Sequence, residues 1–237
     1  KAGKADAAFV QTENAVILVD TGLAKNSDDL LEELTELGIE VIDVLIVSHF
    51  DKDHIGGAAD VIAAFPVGTV YQSNCPKDSD EYAAYVAALA DAGIEPVTIT
   101  DTVSFTLDGL SVVIDGPDRE TYAVDPSNNS SLAVSVYDGE ISLLFAGDAE
   151  EARLAELLKN GLGTYDFLKV PYHGHWQNGL QAFLEAVQPK IAVITSSEEI
   201  PEDGATLQAL EALGSNVRLT REGAVDLFCD GSTIETI

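Results

Sequence analysis

Positive charge is what this chain has least of. Its 237 residues include 12 Lys and Arg against 41 Asp and Glu, a formal net charge of −29. A surface of that sign repels polyanions and lacks the Lys and Arg that displace counterions from DNA, so non-specific binding to extended nucleic acid is disfavoured. The acidity itself reads as a solubility feature. It leaves room for a small anionic substrate, because bound metal would bring local positive charge. No apolar run approaches the ~20 residues that span a bilayer, and no signal peptide is recognisable, so a soluble chain is expected. Methionine is absent altogether, and the chain opens on Lys1, which reads as a trimmed or processed form. The two cysteines, Cys75 and Cys229, lie in no C-x-x-C pair and near no histidine. They read as structural thiols, with nothing to support a disulfide between them, and they leave the redox compartment open. Histidine is scarce too: His49, His54, His173 and His175 are the only four, and they fall in two short stretches. Histidines scattered for packing would not cluster in this way.

What the chain does have is an ample apolar fraction, 46%, enough for a sizeable core in one or two domains. The densest chemistry is Ser48-His49-Phe50-Asp51-Lys52-Asp53-His54-Ile55-Gly56-Gly57. It follows the apolar run 41–47, which reads as a buried strand, and precedes a helical start at 58–65. The candidate ligands therefore sit on a loop between two rigid elements. Two imidazoles and two carboxylates form a mixed N/O set that suits Zn, Mn or Fe better than Ca. The spacing of His49, Asp51 and Asp53 predicts three side chains on one side of an extended segment, with His54 just beyond. Two metals a few Å apart could share such a cluster.

The same order of strand, polar loop and helix recurs twice. Strand 141–145 ends in Ala146-Gly147-Asp148-Ala149-Glu150, before a helix from about 151 to 158. There Asp148 reads either as a ligand or as a helix cap worth about 1 kcal/mol. Strand 166–170 is followed by Pro171-Tyr172-His173-Gly174-His175. Elsewhere the pattern predicts a hairpin over 7–20 and helices at 28–37, 80–92 (capped by Ser79), 180–187 and 205–213. Strands are predicted at 69–72, 97–99, 103–105, 110–114, 133–137, 191–195, 217–219 and 224–228, with hairpin turns at Asp108-Gly109 and Asp138-Gly139. The stretch 116–127 is long, polar and irregular, as functional loops often are. Thr195 and Ser196 end a strand and carry only a weak signal.

His49-x-Asp51-x-Asp53-His54 resembles the metal motif of the metallo-β-lactamase superfamily, with Asp in place of its second His. That variant, followed by Ile-Gly-Gly, is similar to the hydrolase domain of ComEC-type DNA-uptake channel proteins. Asn128, Asn129, Ser131 and Leu132 fit a segment of that domain, and so does 220–225. The likeness runs from about Ala7 to Phe228. It implies a four-layer αββα sandwich of the α/β (α+β) class, forming one domain over residues 1–237. It implies two divalent ions, Zn or Mn. His49 and Asp51 with His173 or His175 would favour one, Asp53 and His54 the other, and Asp148 would bridge them. Asp20, in Val19-Asp20-Thr21-Gly22, matches a residue that orients the metal loop. Asn128 or Asn129 matches a position near substrate or the weaker metal. Tyr172 and His175 depart from the usual Pro-His-His-Gly-Ser, so His175 is an alternative ligand or an acid. The histidine that many members carry before strand 133–137 is absent.

The resemblance implies a metal-dependent hydrolase, with a bound hydroxide available near pH 7. The extra carboxylates favour Mn over a tight Zn pair. Phosphoester hydrolysis is what the ComEC-type resemblance implies, and the absence of an intact His-x-His and of the later His weighs against the alternative of a lactone, thioester or lactam. Asp53 and Asp148 are the expected catalytic carboxylates. A small phosphodiester or cell-envelope phosphoester suits the acidic surface better than DNA. A non-catalytic metal-binding module is the reading from another class. The expected location is the outside or surface of a bacterial cell, the alternative being the cytoplasm.

Overall fold

The computed structural model describes residues 4–237. Two sheets form its middle, and the alternation of side chains along each strand explains why. The first sheet contains β1 (Ala8–Gln11), β2 (Val16–Val19), β3 (Ile42–Val47), β4 (Val67–Gln72) and β5 (Val97–Thr98), in that order. β1 and β2 form an antiparallel hairpin, and β2 to β5 run parallel. Its helices are α1 (Ser27–Glu36), α2 (Lys52–Ile55), α3 (Ala58–Ala64) and α4 (Asp80–Ala92). Ile17, Val19, Val44 and Ile46 face the opposing sheet, while Val16, Leu18, Leu45 and Val47 pack on the helices. Strands buried on both faces read as continuous apolar runs, which is how 41–47 reads.

The second sheet begins with β6 (Val103–Leu107) and β7 (Leu110–Asp115), joined by the Asp108-Gly109 turn, where both residues have positive φ. The short α5 (Pro126–Asn129) precedes β8 (Ala133–Asp138) and β9 (Ile141–Phe145). Then come α6 (Glu151–Lys159), β10 (Phe167–Lys169), α7 (Leu180–Val187), β11 (Ile191–Ile194), α8 (Gly204–Ala212) and β12 (Asn216–Leu219). The sheet order is β12-β11-β10-β9-β8-β7-β6, antiparallel from β6 to β9 and parallel from β9 to β12. Phe145, Phe167, Ile191 and Val193 face the first sheet, and Leu144, Leu168, Ala192 and Ile194 face helices α6 to α8. The layers are helix, sheet, sheet, helix, as the motif implied. A separate hairpin, β13 (Leu227–Cys229) with β14 (Ile234–Thr236), closes the described chain.

Two sequence expectations need correction. The metal loop is not extended through Asp53: the chain turns helical at Lys52, with Asp51 as the extended residue before it. The Asp51 carbonyl accepts from the backbone N–H groups of His54 (2.9 Å) and Ile55 (3.0 Å), so Asp51 and Asp53 diverge instead of sharing a side. The last strand starts later than the pattern 224–228 suggested, at Leu227, and is followed by β14, which the pattern missed. Ser79 does cap α4, its Oγ accepting from the Tyr82 N–H at 3.2 Å. Cys75 and Cys229 are free thiols, with Cys229 Sγ on Asp138 Oδ2 at 3.2 Å. No helix among the described residues is long and apolar enough to cross a membrane.

Candidate metal centre

The carboxyl ends of the parallel strands of both sheets meet at one edge of the sandwich. β2 delivers Asp20, β3 delivers Ser48 and His49, β9 leads to Asp148, β10 to His173 and β11 to Thr195. Close backbone approach brings them together. A Cβ on Gly57 would lie 2.5 Å from the Thr21 carbonyl oxygen. Gly147 has φ +54°, and a Cβ there would sit 2.9 Å from the Ser131 side chain. Both positions require glycine.

Asp20 organises the first half of the site. One of its oxygens accepts the Ser48 N–H at 2.7 Å. The other accepts the Ser48 hydroxyl at 2.6 Å and the His54 Nδ1–H at 2.8 Å. Because the Ser48 proton goes to Asp20, the Ser48 Oγ is left to accept from His49 Nδ1 at 3.1 Å. His173 is fixed in the same way from the second half: its Nδ1 donates to the Thr195 carbonyl at 2.9 Å, with the Thr195 Oγ1 at 3.0 Å. Tyr172 and His173 both adopt positive φ to reach this position, a strained arrangement for non-glycine residues. Each Nδ1 is thus occupied, and each Nε2 is the nitrogen left facing inward.

Those three Nε2 atoms, on His49, His54 and His173, are buried and have no hydrogen-bond partner. Two of them converge on Asp148. His54 Nε2 lies 3.3 Å from one Asp148 oxygen, and His173 Nε2 lies 3.0 Å from the other and 3.4 Å from Asp53. Ligand atoms of His49, His54 and Asp148 all fall within 4.8 Å of one another. Histidines backed on Nδ1 with a free Nε2 are what a metal needs of its ligands. The residues present therefore fit a divalent ion of N/O preference. Asp53, His173, Asp148 and His54 are linked in turn at 3.4, 3.0 and 3.3 Å, a run of four called the nest below, and His49 adjoins it through His54 and Asp148.

The electrostatics demand positive charge here. Burial alone would keep His54 neutral, but Asp148, Asp6 and Asp20 outweigh it and raise its pKa well above the ordinary value. His173 is raised too, burial being overcome by Asp148 and Asp6. His49 goes the other way, lowered to about 4 by burial and by its neighbour His54. Burial opposes ionisation of Asp148, yet His54, His173 and Lys169 hold its carboxyl well below the usual range.

Two charged residues at the centre escaped the sequence reading. Lys169, buried at the end of β10, donates to the Gly147 carbonyl at 2.9 Å, lies 3.4 Å from Asp148 and pairs with Asp6. Asp6 lies behind the histidines, 3.7 Å from His54 Nδ1 and 3.5 Å from His173 Nδ1, nitrogens already engaged by Asp20 and Thr195. It neutralises Lys169 from that side. A lysine breaking the apolar strand 167–170 was the available signal. Asp6, in an ordinary polar segment, offered none.

Of the remaining expected residues, Asp51 turns away from the nest. Its Oδ1 accepts from Lys77 Nζ at 2.5 Å and from the Ser127 hydroxyl. Asn128 lines the groove beside Asp51 and donates to Glu150 at 2.6 Å. Asn129 is buried and accepts the Arg153 N–H at 3.0 Å. Arg153, fully buried, donates to the Ser131 carbonyl at 3.0 Å, and the Ser131 Oγ accepts the Asp148 N–H at 3.1 Å. Asn129 thereby steadies Asp148 at second hand. His175 is partly exposed, stacked edge-on against Tyr172 at 5.3 Å and 3.9 Å from Asp203.

A family model of the metallo-beta-lactamase superfamily matches residues 1–196. The chain belongs to that superfamily, whose members are generally hydrolytic metalloenzymes. Among curated proteins it is similar to Recombination protein 2 of Haemophilus influenzae, 28% identical over 204 residues, 84% of this chain and 24% of that protein. It is also similar to ComE operon protein 3 of Bacillus subtilis, 28% identical over 219 residues, 83% of this chain and 27% of that protein. The likeness to ComEC-type proteins is thus present, and the chain spans about a quarter of the length of these relatives. The metallo-beta-lactamase fold protein YhfI from Bacillus subtilis shares the fold, with a TM-score of 0.62 at 12% identity, covering 93% of this chain and 90% of that one.

Proposed function

We propose that this chain is a metal-dependent phosphoester hydrolase acting on a small phosphodiester. The observation that carries the metal dependence is the convergence of the buried Nε2 atoms of His54 and His173 on Asp148, with His49 in the same ligand group. The likeness to ComEC-type proteins and the carboxylate-rich ligand set support the phosphoester class over lactones, thioesters and lactams. The formal charge of −29 disfavours extended nucleic acid and favours a nucleotide or an envelope phosphodiester. The kinship with a competence protein supports a location at the outside or surface of a bacterial cell.

A divalent ion in the nest, Zn or Mn, would polarise a substrate oxygen and lower the pKa of a bound water. His54, Asp53, Asp148 and His173 would hold it, with Asp148 able to bridge to a second ion beside His49. The chain's own groups do the rest. Asp20 and Thr195 engage Nδ1 of His54 and His173, so that Nε2 is the nitrogen turned to the ion, which would take the place of a proton there. Lys169 offsets the charge of Asp148. Asp53 would serve as a ligand from the partly exposed side of the nest; burial opposes its ionisation, yet His173 and His54 hold its carboxyl far below the usual range. A groove of about 410 Å³ beside Asp51, lined by Lys77, Ser127 and Asn128 among others, offers room for the ester substituent. The test is hydrolysis of an aryl phosphodiester by metal-stripped protein reloaded in parallel with Mn and Zn. Metal-dependent turnover is expected. Binding of both metals without turnover overturns the proposal and favours carboxyl esters or a non-catalytic module.

A further inference from the structure

The two parts of the ligand set are not in the same condition. In the nest the one lysine on a ligand oxygen, Lys169 on Asp148 Oδ1, stands off at 3.4 Å and makes its close contacts with Gly147 and Asp6. Asp53 has Lys4 at 3.5 Å, a loose contact, and the same Asp53 oxygen lies 3.4 Å from His173 Nε2. Beside the nest, His49 is equally ready, with its Nε2 buried and unpartnered. The carboxylate that should join it, Asp51, is not. Lys77 and Ser127 both grip its Oδ1, Lys77 at 2.5 Å. These donors come from different parts of the fold. Lys77 lies on the loop between β4 and α4, and Ser127 lies on α5. Asp51 is therefore held by the walls of the groove.

We propose that the chain has two cation positions of unequal standing. One divalent ion is resident in the nest of Asp53, His54, Asp148 and His173. The ammonium of Lys77 is the resident cation on Asp51, and a second divalent ion binds beside His49 only by displacing it. The exchange is balanced in charge type, since Asp51 gives up one cation and takes another. It rests on the nest holding a metal and not on the phosphoester reading. Where that reading also holds, the released Lys77 faces the groove and is free to meet a phosphate oxygen.

The exchange sets an affinity order that binding alone can measure. The experiment is equilibrium dialysis of the stripped chain against Mn, and separately Zn, with elemental analysis of bound ion. Wild type is expected to take the first ion at least tenfold more tightly than the second. Lys77→Gln removes the competing ammonium, so the second ion should tighten at least tenfold while the first is unchanged. Asp51→Asn should lose the second ion and keep the first. Ser127→Ala should shift the second constant in the same direction as Lys77→Gln, by less. Lys77 is partly exposed, and circular dichroism confirms that its variant folds. Two ions of equal affinity in wild type, or a second constant that Lys77→Gln leaves unmoved, overturns the proposal. A lower melting temperature in Lys77→Gln without a change in the second constant makes the pair a structural salt bridge and likewise overturns it. None of these readings depends on turnover, so an inactive but metal-binding chain leaves the inference fully testable.

Discussion

The nest and the Asp51 corner lie side by side and are built differently. In the nest, every imidazole is backed on Nδ1 by a buried acceptor, so its Nε2 is prepared before any ion arrives. At the corner, the carboxylate is backed by nothing that aims it at His49 and is held by a lysine instead. The nest shows preorganisation, where the cost of orienting the ligands is met by folding. The corner shows the opposite, a ligand already satisfied elsewhere. Residue type alone does not separate them, since both are His and Asp.

The sharpest way to break the nest is Asp148→Asn. The asymmetric amide cannot serve two histidines as a carboxylate does. Turnover should vanish with the fold intact, as read by circular dichroism, and unchanged turnover would sink the mechanism. Next in size is Lys169→Met. It leaves Asp6 buried beside Asp148 without its cation, a loss of about 3–5 kcal/mol by the rule for broken buried pairs. At roughly 2–4 °C per kcal/mol for a chain of this size, the melting temperature should fall by about 6–20 °C. Asp20→Asn comes third. It weakens the anchor of His54 and, through Ser48, of His49, so metal affinity should drop about 10–100-fold, measured by competition with a chelating dye. Lys77→Gln, on the Asp51 side, should move affinity for the second ion the other way.

The smallest effect is a pH profile. In the stripped protein, His54 and His173 have raised pKa values. The folded state then binds more protons than the unfolded one above about pH 6.5, so their contribution to stability is lost as pH rises. His49, lowered to about 4, does the reverse between about 4 and 6.5, favouring stability as pH rises through that window. The melting temperature of stripped protein should peak near pH 6.5. Saturating Mn should flatten the alkaline fall, because the ion replaces the protons the acids demand. A monotonic profile would show that the histidines do not sit in the anionic pocket described.

Much of this was legible in the sequence, for reasons that also explain the gaps. The strands were readable because Ile17, Val44, Leu45 and Ile46 are apolar on both faces, the mark of a sheet covered twice. The nest was readable because its histidines are scarce and clustered. Asp51 was misjudged in direction because spacing was applied across a point where the backbone turns helical. The cue was present: an acidic residue just before a helical turn is a common N-terminal signal. Lys77 and Asp6 were invisible because polar residues on polar segments are indistinguishable until tertiary structure chooses among them. Lys169 was visible in principle, since a charge in a central strand must find a partner.

One feature of the nest bears on synthesis. Its ligands are divided between the sheets, with Asp53 and His54 on the first and Asp148 and His173 on the second. The inter-sheet core that joins them draws on residues of both. At roughly 5–20 residues per second, the ribosome needs about 6–24 s after making His54 before it reaches His173. Throughout that interval the nascent chain holds only half of the ligand set. A complete site exists only once both sheets are in place, so the choice of ion falls to whatever compartment the chain folds in.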